Sequence, residues 1–316
     1  MIRIKAMSDQ PVAAYPMDME KDEAAKKAKE ISHPFVQYGF MGDGFVPATS
    51  TIPVLPTGCY ELRQTMAGTY FSPMHITTDE LIVFPGTKLE EILHEIERFW
   101  GLKKKFDQYG FIQKRGILLW GEPGCGKTGL VMLLTNEVLK RNGVVIVADN
   151  PFTLLEMLPK YRQVEPERPI MVVMEDLDTM IGDFGEKRIL SVLDGENQIE
   201  GVCFVATSNY PERLAARITN RPSRFDMIIK IDSPNAEART IYFMNKVKTT
   251  KAPDGTDLIK ATEGLSFAHL REIIVGVFIF GYPASKVIER MHGMSVKPDS
   301  SPALLQALNS VPIVDV

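Results

Sequence analysis

Two stretches of the sequence carry residue types suited to holding a polyphosphate and a metal ion. Gly121-Glu122-Pro123-Gly124-Cys125-Gly126-Lys127-Thr128 fits the pattern G-x-x-x-x-G-K-[ST]. Glycines let such a loop turn its backbone N–H groups inward around phosphate oxygens. The lysine sets a cation on the terminal phosphates, and the hydroxyl that follows can join a Mg²⁺ shell. Gly121, Pro123, Gly124, Cys125, Gly126, Lys127, Thr128 and Gly129 are therefore the expected nucleotide-binding residues, with Thr128 also a metal ligand. The second stretch is Glu175-Asp176-Leu177-Asp178, directly behind the apolar run Met171-Val172-Val173-Met174. One carboxylate can enter a metal shell, and another can orient or deprotonate an attacking water. A solvated acidic turn is the structural alternative, but three acids behind four apolar residues favour a site.

Further candidates lie downstream. Thr207-Ser208-Asn209 ends the next apolar run and offers an amide to a water or a phosphate. Arg221-Pro222-Ser223-Arg224-Phe225-Asp226 offers two guanidinium groups suited to phosphate oxygens. Taken alone, these arginines read as salt-bridge partners.

The elements that must position these residues follow from periodicity. Ile117 to Trp120, Val144 to Ala148, Ile170 to Met174, Val202 to Ala206 and Met227 to Ile231 are short, nearly continuous apolar runs. Helical segments separate them, as in a parallel sheet covered on both faces. The first run leads into the phosphate loop, and Lys127 to Arg141 continues from the loop as a helix. Upstream, Thr87-Lys88-Leu89-Glu90 has capping-box spacing before an amphipathic run that Gly101 ends. Downstream, helices are expected from Ser233-Pro234 through Lys248, from Ser266 through Phe280 and from Pro283 through Met291. Leu154 to Leu158, ahead of Pro159, predicts a short buried helix. At the N-terminus, Met17 to Ile31 reads as a charged helix or arm. Behind it Phe45-Val46, Gly58 to Leu62, Thr69 to Phe71 and Leu81 to Phe84 are short β-prone pieces. Pro302 to Leu308 reads as a short helix in the tail. The resulting division is 1–85 for the arm and a small β-containing region, 86–232 for the phosphate-loop core, 233–294 for a helical lid and 295–316 for the tail.

Composition excludes less than it permits. With 316 residues and 45% apolar side chains the chain can form about two domains with a substantial core. A net charge of −4 gives no whole-molecule argument for nucleic acid or anionic membranes. Cys59, Cys125 and Cys203 are odd in number and lack metal-ligand spacing, which suits a reducing compartment. The five histidines form no H-E-x-x-H. No apolar run is long enough to span a bilayer, so a cytoplasmic protein without a membrane segment is expected.

In order and spacing, these motifs resemble the AAA family of ring-forming ATPases over roughly Phe99 to Gly281. Lys114-Arg115-Gly116 and the strand behind it look like the family's entry to the phosphate loop, and Tyr109-Gly110-Phe111 falls where members enclose adenine with backbone. Leu193-Asp194-Gly195 and Asn209-Tyr210-Pro211-Glu212-Arg213-Leu214 are further family-like strings. Gly264 to Leu270 resembles the start of the lid helix near the ribose. The resemblance implies an α/β P-loop NTPase fold with strand order 5-1-4-3-2 and a lid closing over ATP. It makes Gly110 and Ala268 nucleotide contacts, Asn209 a sensor, and Arg221 and Arg224 arginine fingers. Glu175-Asp176 takes the place of the family's Asp-Glu acidic pair, an order found in the branch that includes the mitochondrial Rieske-protein assembly ATPase. Transfer by position makes Glu175 the metal-side acid and Asp176 the water-activating one. The swapped order leaves the reverse assignment open.

The implied function is Mg²⁺-dependent ATP hydrolysis by a hexameric homo-oligomer that remodels a protein or an assembly. Between Asn150 and Pro169 there is no aromatic-hydrophobic-Gly triplet, so the sequence carries no sign of polypeptide threading. Two alternatives come from other classes. One is a nucleic-acid loader or translocase using Lys103, Lys104, Lys105, Lys114, Lys246, Lys248 and Lys251. The other is a nucleotide-gated scaffold with little turnover.

Overall fold

A computed structural model describes residues 37–41, 44–48, 52–65, 68–74, 88–194, 199–210, 214, 218 and 224–295. The N-terminal Met17 to Ile31, Leu81 to Phe84, Thr87, Pro211 to Arg213, Arg221 and Pro302 to Leu308 lie outside the described residues.

The strands are β1 (Gln37–Met41), β2 (Gly44–Ala48), β3 (Gly58–Thr65), β4 (Gly68–Met74), β5 (Lys114–Trp120), β6 (Val144–Val147), β7 (Ile170–Met174), β8 (Val202–Ser208) and β9 (Met227–Lys230). β1 and β2 form a small antiparallel pair, and the other seven form one sheet in the order β4-β3-β6-β7-β8-β5-β9. The order β9-β5-β8-β7-β6 within it is the 5-1-4-3-2 arrangement implied by the resemblance. The difference is that the sheet does not stop at β6. β3 pairs parallel to it, with Gly58 opposite Val144 and Glu61 opposite Val147, and β4 adds an antiparallel edge.

Side chains explain why β3 joins. Arg168 Nη2 donates to Thr57 Oγ1 at 2.9 Å, its Nη1 donates to Leu55 O, and Leu55 N donates to Glu165 Oε1 at 2.9 Å. Glu165 is 7% exposed and ion-paired with Arg168, so the segment entering β3 satisfies polar groups that would otherwise be stranded in the interior.

The middle strands are apolar because both faces are covered: every residue of β7 and β8 is buried. Burying one such Val, Ile, Leu or Phe contributes about 1.5–3 kcal/mol. β8 runs on through Thr207 and Ser208, two residues beyond the expected end, and delivers Asn209 at once.

The helices ahead of the lid are α1 (Lys88–Trp100), α2 (Lys103–Gln108), α3 (Lys127–Lys140), α4 (Pro151–Val164), α5 (Leu177–Phe184) and α6 (Glu186–Asp194). α4 is longer than the short segment expected between Leu154 and Leu158, and it passes through Pro159. Proline removes one backbone donor inside a helix. Here Asn150 caps the start by accepting from Phe152 N at 2.9 Å, and Leu154, Met157, Leu158 and Tyr161 bury a face on both sides of the proline. Packing outweighs the lost bond.

The chain forms two compact units. Among the described residues the first takes the chain up to Leu118, Gly129–Ala206 and Ala215 to Met227, while the second takes Leu119–Thr128, Thr207–Leu214 and the chain from Ile228. In the second, α7 (Ala236–Lys246), α8 (Leu258–Ala261), α9 (Phe267–Ile274) with the π turn Val275–Ile279, and α10 (Ala284–Ser295) make a helical cluster over the stretch where a lid is expected. α7 begins at Ala236, capped by Asn235, whose side chain accepts from Ala238 N at 2.8 Å, rather than at Ser233-Pro234. Phe243, Leu258, Leu265, Leu270, Ile273, Val277, Val287 and Met291 meet in its core. No described helix is long and apolar enough to cross a membrane.

Candidate functional site

In the second unit, β5 ends at Trp120, whose carbonyl accepts from Ile231 N at 2.7 Å. The phosphate loop then begins with Gly121 N donating to Ser208 O at 3.3 Å, so the end of β8, and with it half-buried Asn209, is tied to the start of the loop. Gly124 has φ +76°, a left-handed conformation that glycine adopts without strain. A Cβ there would stand 2.6 Å from Ala268 Cβ and 2.9 Å from Ser266 Oγ. Ala268 N donates to Gly124 O at 3.3 Å, which places this expected nucleotide contact against the loop.

Lys127 is 7% exposed, and its Nζ donates to Gly121 O at 2.7 Å and to Glu122 O at 2.9 Å. The loop's own carbonyls thus satisfy a buried ammonium, as a charge withdrawn from water requires. Pro123 and Thr128 are exposed, Gly126 and Gly129 half-buried. Cys125 is buried, its Sγ lies 3.6 Å from Ser233 Oγ, and burial raises its pKa, so it serves here as a packed, neutral thiol.

In the first unit, β7 ends at Met174, opposite Ala206 of β8, and Glu175 and Asp176 follow, both exposed. Asp176 occupies the N-cap of α5 at φ 47° and ψ 55°, a left-handed position that aspartate tolerates better than most residues. Its carbonyl accepts from Thr179 N at 2.8 Å and Met180 N at 3.1 Å, so the backbone fixes the turn that carries both acids. Partial desolvation, and then the neighbouring Asp176 carboxylate, raise the pKa of Glu175. Two adjacent carboxylates, that of Glu175 perturbed, beside a fully buried strand end fit a metal and water site. Among the described residues no group of three His, Cys, Asp or Glu could hold a metal by itself. Mg²⁺ commonly takes only one or two carboxylates and completes its shell with phosphates and water.

Gly110, at φ +69°, is exposed in the turn behind α2, between Tyr109 and Phe111, which are 69% and 68% exposed. Arg224 sits differently from what a finger reaching outward requires. It is 5% exposed, and its Nε forms an ion pair of 2.5 Å with Asp194 Oδ2 at the end of α6. Its carbonyl crosses β5 so closely that a Cβ on Gly116 would lie 1.9 Å from it, and Gly116 N donates to Asp226 Oδ2 at 2.9 Å. The salt-bridge reading of Arg224 thus has a concrete partner in this chain. Asp194 and His269, which bonds Ser266 beside Gly124, lie within family-like strings, but the sequence assigns neither of them a role. Their signal is spatial, apart from a Ser-x-x-His string that departs from the usual Ser-x-x-Glu box.

Residues 117–233 match the family model described as "ATPase family associated with various cellular activities (AAA)". Among similar curated proteins is the "ATP-dependent zinc metalloprotease YME1L1" of Mus musculus, 28% identical over 211 residues, covering 58% of this chain and 28% of the relative. Another is "ATP-dependent zinc metalloprotease FtsH 2" of Salinibacter ruber, 27% identical over 242 residues, covering 69% of this chain and 35% of the relative. A "Putative cell division cycle ATPase" of Plasmodium falciparum is 26% identical over 204 residues, covering 58% and 16%. The chain spans about a third or less of the length of these relatives.

Proposed function

We propose, taking as premise that this chain belongs to the AAA ATPase family through residues 117–233, that it hydrolyses ATP with Mg²⁺ in a ring of like subunits and uses turnover to remodel a protein or a protein assembly. Lys127 exchanges its loop carbonyls for oxygens of the terminal phosphates. By the family resemblance Thr128 and Glu175 would each contribute to the metal's shell, and the metal would neutralise triphosphate charge. Asp176 accepts the proton of the attacking water, and Asn209 orients that water. The backbone around Gly110 borders the base, and Ala268 lies near the ribose. Arg221 and Arg224 supply guanidinium groups to a neighbouring copy's phosphates, and Arg224 must leave Asp194 to do so.

The buried Lys127 ammonium, which donates to the loop carbonyls of Gly121 and Glu122, is the observation that carries the nucleotide half of this reading. The similar proteins named as zinc metalloproteases are matched over about a third or less of their length, and this sequence contains no H-E-x-x-H. Lys103 pairs with Asp107 at 3.4 Å and Glu200 at 2.9 Å, and Lys114 donates to Leu193 O, which weakens the nucleic-acid alternative. The Arg224–Asp194 pair favours a second reading, a nucleotide-gated scaffold with little turnover.

Mixing separates the two. Lys127→Ala subunits keep both arginines, and Arg221→Ala/Arg224→Ala subunits keep a complete phosphate loop. The ring ATPase predicts that two inactive preparations regain phosphate release when combined. Mixtures that co-assemble and stay inactive would refute arginine supply between subunits.

A further inference from the structure

The start of α9 does more than cap a helix. Ser266 N donates to His269 Nδ1 at 3.2 Å, and Ser266 Oγ lies 2.8 Å from the same nitrogen. Ser266 Oγ also takes part in the reciprocal cap with the backbone of His269. A capping box ordinarily places Glu or Gln where this chain has histidine.

The three residues fixed by that box rest on the phosphate loop. Ser266 Oγ and Ala268 Cβ occupy the space at Gly124 where a side chain would be, and Ala268 N donates to Gly124 O. The Phe267 ring lies 3.5 Å from the place of a Cβ on Gly126. On its other side Phe267 meets Tyr242, with ring centroids 5.4 Å apart, and packs on the lid core. Both inner glycines of the loop are thus shaped from one helix turn. A loop that presents backbone N–H groups to phosphate binds more tightly when it is held in that shape beforehand, because less freedom is lost on binding.

We propose that His269 is a positioning residue for nucleotide binding, acting through Ser266 and Ala268 on Gly124. The inference rests on the nucleotide reading of the loop given above. His269 touches no reacting atom; its imidazole nitrogen, as acceptor, holds the Ser266 backbone in register, and the register of α9 sets the loop. Ser266, Phe267 and Ala268 also link the loop directly to the helical lid, so a change in loop shape reaches the lid through this turn.

The test uses the full chain and a non-hydrolysed ATP analogue with Mg²⁺, titrated by calorimetry alongside a thermal melt without nucleotide. His269→Ala should raise Kd by about threefold to tenfold, the scale of one lost cap. In turnover it should raise KM while leaving kcat within about twofold, because uniform binding is lost and the chemistry is untouched. His269→Glu restores the Ser-x-x-Glu box and should return affinity to near the wild-type value. Ser266→Ala should act in the same direction as His269→Ala and serves as the second probe if the latter does not fold. Unchanged or tighter binding in His269→Ala or Ser266→Ala, or no recovery in His269→Glu, overturns the inference. A wild-type chain that does not bind the analogue overturns the nucleotide reading itself, and this inference with it.

Discussion

Lys127 and Arg224 are both buried cations, and the contrast between them separates the two halves of the proposed chemistry. The Lys127 ammonium is held by two neutral carbonyls of its own loop, Gly121 O and Glu122 O. The Arg224 guanidinium is held by a carboxylate, Asp194, from a helix 30 residues away in sequence. Both sets of bonds are charge-assisted, but carbonyls carry no formal charge to strand when the cation turns to a phosphate, whereas opening the ion pair leaves a carboxylate behind. On the proposed reading Lys127 meets phosphate within its own subunit, whereas Arg224 would have to part from Asp194 before it could serve a neighbour.

The largest expected effect addresses that tie. If Arg224 serves a neighbour, Arg224→Ala in the assembled protein should lose about 10³-fold or more in turnover with nearly unchanged ATP affinity. Asp194→Asn, which weakens the tie and keeps the guanidinium, should retain turnover. If the pair is purely structural, both variants should lose about 1–3 kcal/mol of stability with little separate effect on kcat, the lower end because Asp194 is 29% exposed and partly solvated. Denaturant midpoints measured beside kcat separate the outcomes.

Asp176→Asn comes next. An amide cannot take up the water's proton, so turnover should fall about 10²- to 10⁴-fold while ATP is still bound. Should Glu175→Gln give that trapped behaviour while Asp176→Asn stays active, the two acids exchange roles.

A good part of this arrangement is legible in the sequence, and what escapes it is non-local. The five buried strands, the phosphate loop and the helix behind it follow from apolar runs and glycine spacing, because those patterns are local. β3 and β4 join the sheet beside β6 through Arg168 and Glu165, side chains more than 100 positions away, and no periodicity announces such a partner. β8 outruns its apolar stretch because Thr207 and Ser208 are polar yet buried. α4 continues through Pro159 because packing on both sides of it offsets one missing bond. The partner of Arg224 and the seat of α9 on Gly124 likewise exist only once the chain has folded.

The smallest expected effect is a pH shift. Glu175 has a raised pKa, so it keeps its proton to a higher pH than an ordinary glutamate, and the ionised form needed for a metal appears later. Mg²⁺-dependent activity should therefore fall off on the acid side at a higher pH than an unperturbed carboxylate would give. Asp176→Asn removes the adjacent negative charge, so the acid limb of Mg²⁺·ATP binding should move to lower pH. The sign for stability is opposite to that of a salt-bridged acid. The folded state holds this proton more tightly than the unfolded state, so the contribution is present below the unfolded value and declines as pH rises through the folded one. Binding titrations across the acid range in both proteins read the displacement.

Phosphate release from Mg²⁺·ATP by the purified wild-type chain, compared with Lys127→Ala at equal concentration, bears most directly on the claim that the buried ammonium of the loop is the triphosphate's counterion. The expected result is release that EDTA abolishes in the wild type, with neither tight ATP binding nor release in Lys127→Ala. Equal binding and equal release by the two proteins would contradict it.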